Sequence, residues 1–287
     1  MKDLYWLGEP GADDPAAVGG KAANLSRLAA AYTVPPGFAL SAAAHARRIE
    51  GAEGAGALPE DLASAAAAAY AELGARRGSG AEAVVAVRSS AIDEDSAGAS
   101  FAGIYTTLLN VRGEGAVLRA IASCWASAED PRVAAYRRSK GLPDAGVGVL
   151  VQELVAADVA AVVFSNNPTN GAVDEIVINA NFGLGESIVS GLATPDTWIV
   201  QRPDLQLRFV LGAKEKMTIL ADEGTREVPV LRTLRDRPCL ADVQVRALAE
   251  LALRLEAAMG WPVDIECAFQ GEQLYLLQCR PITATRR

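Results

Sequence analysis

The chain of 287 residues is 51% hydrophobic but only 6% aromatic, and its formal net charge is −8. That length is enough to bury a substantial core as one large domain or two lobes, while the acidic balance excludes a nucleic-acid or membrane-surface protein, since either partner demands a net basic face. Four cysteines without CxxC spacing and a single histidine exclude a zinc cluster, and with no apolar leader or membrane-length window a cytoplasmic location is expected.

The first helix signal is GGKAANLSRLAAAY, where Leu25, Leu28, Ala29 and Tyr32 recur on one face before Pro35 and Pro36 end it. Lys21, one of only five lysines, therefore stands in a first helical turn. His45 falls in a helix after Ser41 and reads as a structural or exposed residue. The Gly and Ala stretch 51–57 reads as a flexible connection to an Ala-rich helix over 60–77. VVAVR, 84–88, reads as a short buried strand ending on an arginine, and SSAIDEDSAGASFAG after it as a loop. A strand around 105–111 follows, then helices over 115–127 and 131–140. GVGVLVQELV and VAAVVFS read as strands paired with each other. Strands over 175–180, 197–201 and 205–211 alternate with glycine-rich turns, and a long helix covers 241–259. NFGLGE lacks the third glycine and the long helix of a dinucleotide loop, and only Glu186 is kept from it as a candidate.

The last two segments, VDIECAF and QLYLLQCRP, are joined by QGEQ and read as a hairpin. Alternation along a strand sends Asp264 and Glu266 to one side, and likewise Gln278 and Arg280. Two carboxylates facing an amide and a guanidinium suit magnesium and phosphate. Glu266 lies between Ile265 and Cys267 in an otherwise apolar stretch, where a carboxylate requires a partner.

GGKAANLSRL followed by VPPGF and then VAVRSSAIDEDSAGASFAG resembles the start of phosphoenolpyruvate synthase-like chains. CWAS, VLVQELV, FSNNPTNG, NFGLGESIVSGLATPDTW, LGAKEKM and LYLLQCRPIT continue the likeness in order over nearly the whole chain. The resemblance is to the ATP-binding module of the phosphoenolpyruvate synthase, pyruvate phosphate dikinase and rifampicin phosphotransferase family. It implies an α+β ATP-grasp fold with the nucleotide bound between two lobes, here 1–150 and 151–287. It assigns Lys21 and Arg88 to phosphates, the first as a point charge near a helix N-terminus and the second as a planar fork. Ser100 and Gly103 belong to the matching phosphate-covering loop, and Thr107 to a position near it. Gln152, Glu153, Leu154 and Val155 match the linking strand whose backbone reads adenine. Glu266 and Gln278 match magnesium ligands, with Asp264 beside them, and Arg280 matches the arginine that stabilises charge on the transferring phosphoryl group. Lys21, Arg88 and Arg280 are thus the expected catalytic residues, and ATP and Mg2+ the expected cofactors.

Such enzymes pass the phosphoryl group to a histidine on a swivelling carrier and then to an acceptor domain. No TSH-like carrier motif occurs in this sequence, which ends at RPITATRR. The expected function is therefore an ATP-dependent phosphotransferase module acting with a separate phosphohistidine-carrier or acceptor protein. The alternatives are a direct small-molecule kinase or ATP-grasp ligase, which would release ADP, and an ATP-binding regulatory subunit without turnover.

Overall fold

A computed structural model describes residues 2–50, 58–76, 78, 82–92, 106–139 and 146–282. The chain forms two compact α+β units, Met1–Leu154 and Val155–Arg287. Among the described residues no helix is long and apolar enough to cross a membrane.

The first unit runs β1 (Leu4–Trp6), α1 (Pro15–Val18), α2 (Gly20–Leu28), β2 (Gly37–Leu40), α3 (Ala42–Glu50), α4 (Glu60–Arg76), β3 (Val85–Ala91), β4 (Thr107–Val111), α5 (Glu114–Ala128), α6 (Pro131–Ser139) and β5 (Val147–Glu153). Its five strands form an antiparallel sheet in the order β1-β2-β5-β3-β4. Alternation along β3 gives the sheet two different faces. Val85 and Val87 enter a core with Val149 and Val151 of β5, Leu62, Ala66, Ala69 and Leu73 of α4, and Ile121, Cys124 and Trp125 of α5. Fully burying each such aliphatic side chain contributes about 1.5–3 kcal/mol. The Trp125 indole is buried without penalty because its Nε1–H reaches Val147 O at 2.9 Å. Arg88 and Ser90 alternate onto the opposite side of β3.

The second unit runs β6 (Val159–Phe164), β7 (Glu175–Phe182), α7 (Glu186–Val189), β8 (Asp196–Gln201), β9 (Leu207–Val210), β10 (Lys216–Leu220), β11 (Thr225–Pro229), α8 (Arg232–Arg235), α9 (Asp242–Met259), β12 (Val263–Gln270) and β13 (Gln273–Pro281). Six strands form an antiparallel sheet in the order β13-β12-β6-β7-β8-β9, and β10 and β11 pair as a separate hairpin. The apolar stripe of α9, with Val245, Leu248, Ala252 and Leu255 all buried, packs on β6, β7 and β12. Gly260 ends that helix in the left-handed conformation, φ 77°, which glycine adopts without a Cβ penalty.

Two expectations are corrected. The strand expected to end at Arg88 continues through Ser89, Ser90 and Ala91, opposite Val149, Gly148 and Val147 of β5. Two serines interrupt the apolar pattern without ending the strand because their hydroxyls find partners inside: Ser89 Oγ donates to Cys124 O at 3.3 Å and Ser90 Oγ accepts from Ala22 N at 3.1 Å. GVGVLVQELV and VAAVVFS do not pair with each other. β5 lies between β2 and β3, and β6 between β12 and β7; the short VAAD segment that reads as a hairpin connection instead carries the chain from one unit to the next. The remaining helices and strands fall within a few residues of expectation. The strand expected over 205–211 is shorter because Leu205 sits at φ 52° in the preceding turn. The connection 51–57 and nearly all of the loop after Ala91 lie outside the described residues, the loop's Ser100 and Gly103 included.

Candidate functional site

In the first unit the glycine two residues before Lys21 is required by packing. Gly19 has φ 81°, and a Cβ there would stand 1.8 Å from Ser90 O. Only glycine lets α2 start this close to β3. The approach places Ala22 N on Ser90 Oγ, as above, and Lys21 Nζ on Ser89 O at 3.2 Å. Lys21 is buried, so its ammonium is held at β3, one residue from Arg88. Arg88 is half-buried and opposite Leu150 of β5 and Thr107 of β4, and Thr107 is itself exposed. The structure therefore brings Lys21, Arg88 and Thr107 to one segment of one sheet.

The backbone over 152–154 is firmly set. Gln152 is buried opposite Gly37 and Ala86, and its Nε2 donates to Pro35 O at 3.1 Å. Glu153 N donates to Pro36 O at 2.9 Å, and Leu154 N to Val84 O at 2.8 Å. The Pro35-Pro36 segment leading into β2 thus fixes this strand end, and Gly37 is obligatory there because a Cβ would lie 2.5 Å from Val151 O. Val155, the first residue of the second unit, is buried.

In the second unit β12 and β13 turn through Gly271, at φ 58°, in a register that sets Asp264 opposite Arg280 and Glu266 opposite Gln278. Directly opposed residues on one face are about 4.5–5.5 Å apart at Cβ, so the four polar side chains form two cross-strand pairs. A bulge follows at Glu266/Cys267. β12 is an inner strand whose other neighbour is β6, with Asp264 opposite Phe164 and Glu266 opposite Val162. Asp264 is buried, and Arg280 Nε donates to its Oδ2 at 2.9 Å. Its Oδ1 is buried with no hydrogen-bond partner among the described residues. Burial raises the Asp264 pKa above the ordinary carboxylate value; Arg280 pulls it down, and Glu266 adds to the rise. Gln278 is buried and Glu266 half-buried.

Other candidates resolve differently. Glu186 is exposed in the first turn of the four-residue α7. His45 is buried, stacks on Trp125 with ring centroids 5.5 Å apart, and lies 3.3 Å from Glu129 Oε1. It is a structural residue of the α3 and α5 contact. All four cysteines are free and buried. Among the described residues no group of three or more His, Cys, Asp or Glu is placed to hold a metal ion.

The sequence reading missed a buried ion pair between Lys214 and Asp196. Both side chains are fully buried, with Nζ 2.5 Å from Oδ1, and Asp196 also accepts from Gly212 N and Cys239 N at 2.8 Å each. Neither residue stands out locally, Lys214 lying beside Glu215 and Lys216 and Asp196 between Pro195 and Thr197, so only the fold reveals the pair.

Comparison with known proteins identifies the family of the chain. Residues 45–287 match the family described as pyruvate phosphate dikinase, AMP/ATP-binding domain. The uncharacterized phosphotransferase YvkC of Bacillus subtilis is 43% identical over 69% of this chain and 24% of its own length. Rifampicin phosphotransferase of Streptomyces sviceus is 40% identical over 79% of this chain and 26% of its own. A probable phosphoenolpyruvate synthase of Methanocaldococcus jannaschii is 34% identical over 100% of this chain and 27% of its own. The chain thus spans about a quarter of the length of each of these relatives. The lysine-bearing helix start, the buried arginine strand and the acidic hairpin all occur in a chain that belongs to the pyruvate phosphate dikinase AMP/ATP-binding domain family.

Proposed function

We propose that this chain binds ATP with magnesium and passes a phosphoryl group to a histidine on a separate carrier protein or to another acceptor, within an α+β ATP-grasp architecture whose lobes are the two compact units. The observation that supports this most directly is the hairpin register, which sets Glu266 against Gln278 and Asp264 against Arg280. A carboxylate and an amide oxygen on adjacent strands are the hard oxygen donors that magnesium takes, and the buried, unpartnered Oδ1 of Asp264 is a further acceptor beside them. Glu266 and Gln278 would hold the ion, which when bound neutralises charge on phosphate oxygens.

The chain's own residues do the rest. Lys21, anchored on Ser89 O, offers an ammonium at β3 that suits a phosphate oxygen as a compact point charge. Arg88 offers a planar, permanently charged fork suited to bidentate phosphate contact. Arg280, oriented by Asp264 through its Nε, supplies a guanidinium charge suited to stabilising charge that grows on the transferring group. The backbone of 152–155, in which Glu153 N and Leu154 N are held by Pro36 O and Val84 O, is the segment proposed to read adenine. Phosphoryl transfer demands mainly positioning and cationic charge, and this set supplies both.

The test is product analysis. The chain is incubated with ATP labelled at the β position, magnesium and a candidate carrier protein, and AMP is resolved from ADP. Magnesium-dependent AMP with label on the carrier supports transfer to histidine. ADP with a phosphorylated small molecule would instead make the chain a direct kinase. ATP binding with no product from any acceptor would reduce it to a regulatory subunit.

A further inference from the structure

The start of β12 carries an irregular hydrogen-bond pattern. Val263 lies opposite Ser165, continuing the register that pairs Asp264 with Phe164, and an antiparallel pair of this kind exchanges two backbone hydrogen bonds. Only one is made: Ser165 N donates to Val263 O at 2.9 Å. Val263 N donates instead to the Ser165 hydroxyl, at 2.8 Å. The Ser165 carbonyl is engaged elsewhere, accepting from Arg202 Nε at 3.2 Å and Arg202 Nη2 at 2.6 Å. Arg202 is in turn held by both oxygens of Glu256 on α9, at 3.1 and 2.7 Å, and by Asn166 Oδ1 at 2.6 Å. Ser165 also hydrogen-bonds to Glu256, and the bonds from Arg202 and Ser165 outweigh burial to hold the Glu256 pKa below its ordinary value. The guanidinium thus draws a carbonyl out of the sheet ladder, and a hydroxyl oxygen takes its place.

We propose that Ser165, backed by Arg202 and Glu256, is a positioning residue that fixes the entry of β12 and thereby the placement of Asp264 and Glu266. This rests on the reading of the hairpin as the magnesium and phosphate element. Three elements converge on one amide: the end of β6 through Ser165, the turn after β8 through Arg202, and the last turns of α9 through Glu256. The residue after that amide is Asp264. Its backbone is confined by Phe164 and Arg280 on either side, and its Oδ1 makes no hydrogen bond among the described residues to hold it should the strand shift. Residues behind metal ligands of this kind alter metal affinity or activity by about 10–100-fold when removed.

The experiment uses the whole chain and three variants: Ser165→Ala, Ser165→Thr and Arg202→Gln. ATP binding is titrated by calorimetry at a series of magnesium concentrations, and amide hydrogen exchange is followed at Val263 and Asp264. In Ser165→Ala the magnesium concentration for half-maximal ATP binding rises about 10-fold, exchange at Val263 accelerates, and ATP affinity at saturating magnesium changes less than about twofold. Ser165→Thr retains the acceptor oxygen and restores both readouts. Arg202→Gln keeps the hydroxyl but releases the Ser165 carbonyl, so it shifts the magnesium requirement in the same direction and serves if Ser165→Ala does not fold. Accelerated exchange with an unchanged magnesium requirement overturns the positioning role and leaves ATP binding standing. Magnesium-independent ATP binding in the unmodified chain overturns the function reading, and the positioning role with it.

Discussion

Lys214→Met tests whether a buried charge pair holds the second unit together. Lys214 and Asp196 are both inaccessible to solvent, so removing the ammonium leaves a buried carboxylate held by neutral donors, the Gly212 and Cys239 amides and the Cys239 thiol. Breaking a buried pair by deleting one partner costs about 3–5 kcal/mol, because the survivor is an uncompensated charge. The loss is structural as well as electrostatic. Lys214 Nζ also donates to Gly212 O at 3.2 Å, and Gly212 packs so tightly that a Cβ would stand 2.2 Å from Pro195 O. Asp196 therefore ties the start of β8 to the loop at 212–214 and to Cys239. At about 2–4 °C per kcal/mol for a protein of 150–250 residues, the melting temperature should fall by roughly 6–20 °C. The assay is urea unfolding of the parent, Lys214→Met, Asp196→Asn and the double variant. The double variant should lose less than the sum of the singles, since neither charge is then buried alone. A cost below about 1 kcal/mol for Lys214→Met, the range of exposed pairs, with additive singles, would refute the reasoning.

Gly19→Ala should unfold the α2 start or displace it, since the φ of 81° and the 1.8 Å approach to Ser90 O leave no room for a methyl group; the backbone strain alone is about 1–3 kcal/mol, and chemical denaturation would register it together with lost ATP binding. Lys21→Met should weaken ATP binding about 10–100-fold, the equivalent of one charged hydrogen bond, while the melting temperature moves by only a few degrees; binding calorimetry beside a thermal melt separates the two. His45 gives a pH signature. Burial lowers its pKa from the ordinary 6.5, against the opposing hydrogen bond and charge of Glu129, so the folded state disfavours the proton more than the unfolded state does. The corresponding stability is complete above about 6.5 and is lost as pH falls through the folded value. Urea unfolding across that range should show the slope in the parent and a flatter one in His45→Gln, and Glu129→Gln should move the single histidine resonance to a lower titration midpoint.

Local pattern made much of this legible. The alternation in VDIECAF and QLYLLQCRP predicts which residues share a face, and the register of β12 and β13 agrees residue by residue. The helices expected over 60–77, 115–127 and 241–259 are α4, α5 and α9 to within a residue or two at each end. What stayed hidden depends on contacts distant in sequence. Ser89 and Ser90 look like the beginning of a loop until Cys124 and Ala22 are known to receive them. β5 and β6 look like a hairpin because strand pairing is not encoded within either strand, and a five-residue connection is compatible with a turn or with a passage between units. Short strands such as β1 and β2, of three and four residues, carry too few positions for alternation to be visible.

The same distinction explains why the polar residues divided as they did. A glycine-lysine pair at a helix start and a carboxylate inside an apolar strand announce themselves, because each breaks a local rule that packing normally enforces. Lys214, Asp196, Arg202 and Glu256 break no such rule individually, since a lone charge in a turn or near a helix end is ordinary until its partner is located. The groups proposed to touch the nucleotide owe their expected roles to a resemblance carried by several ordered motifs, whereas those that hold the scaffold around them were given no role by it. Ser165 belongs to the second kind: as a residue in FSNNPTNG it is unremarkable, and only the diversion of its carbonyl to Arg202 gives its hydroxyl a task at the amide preceding Asp264.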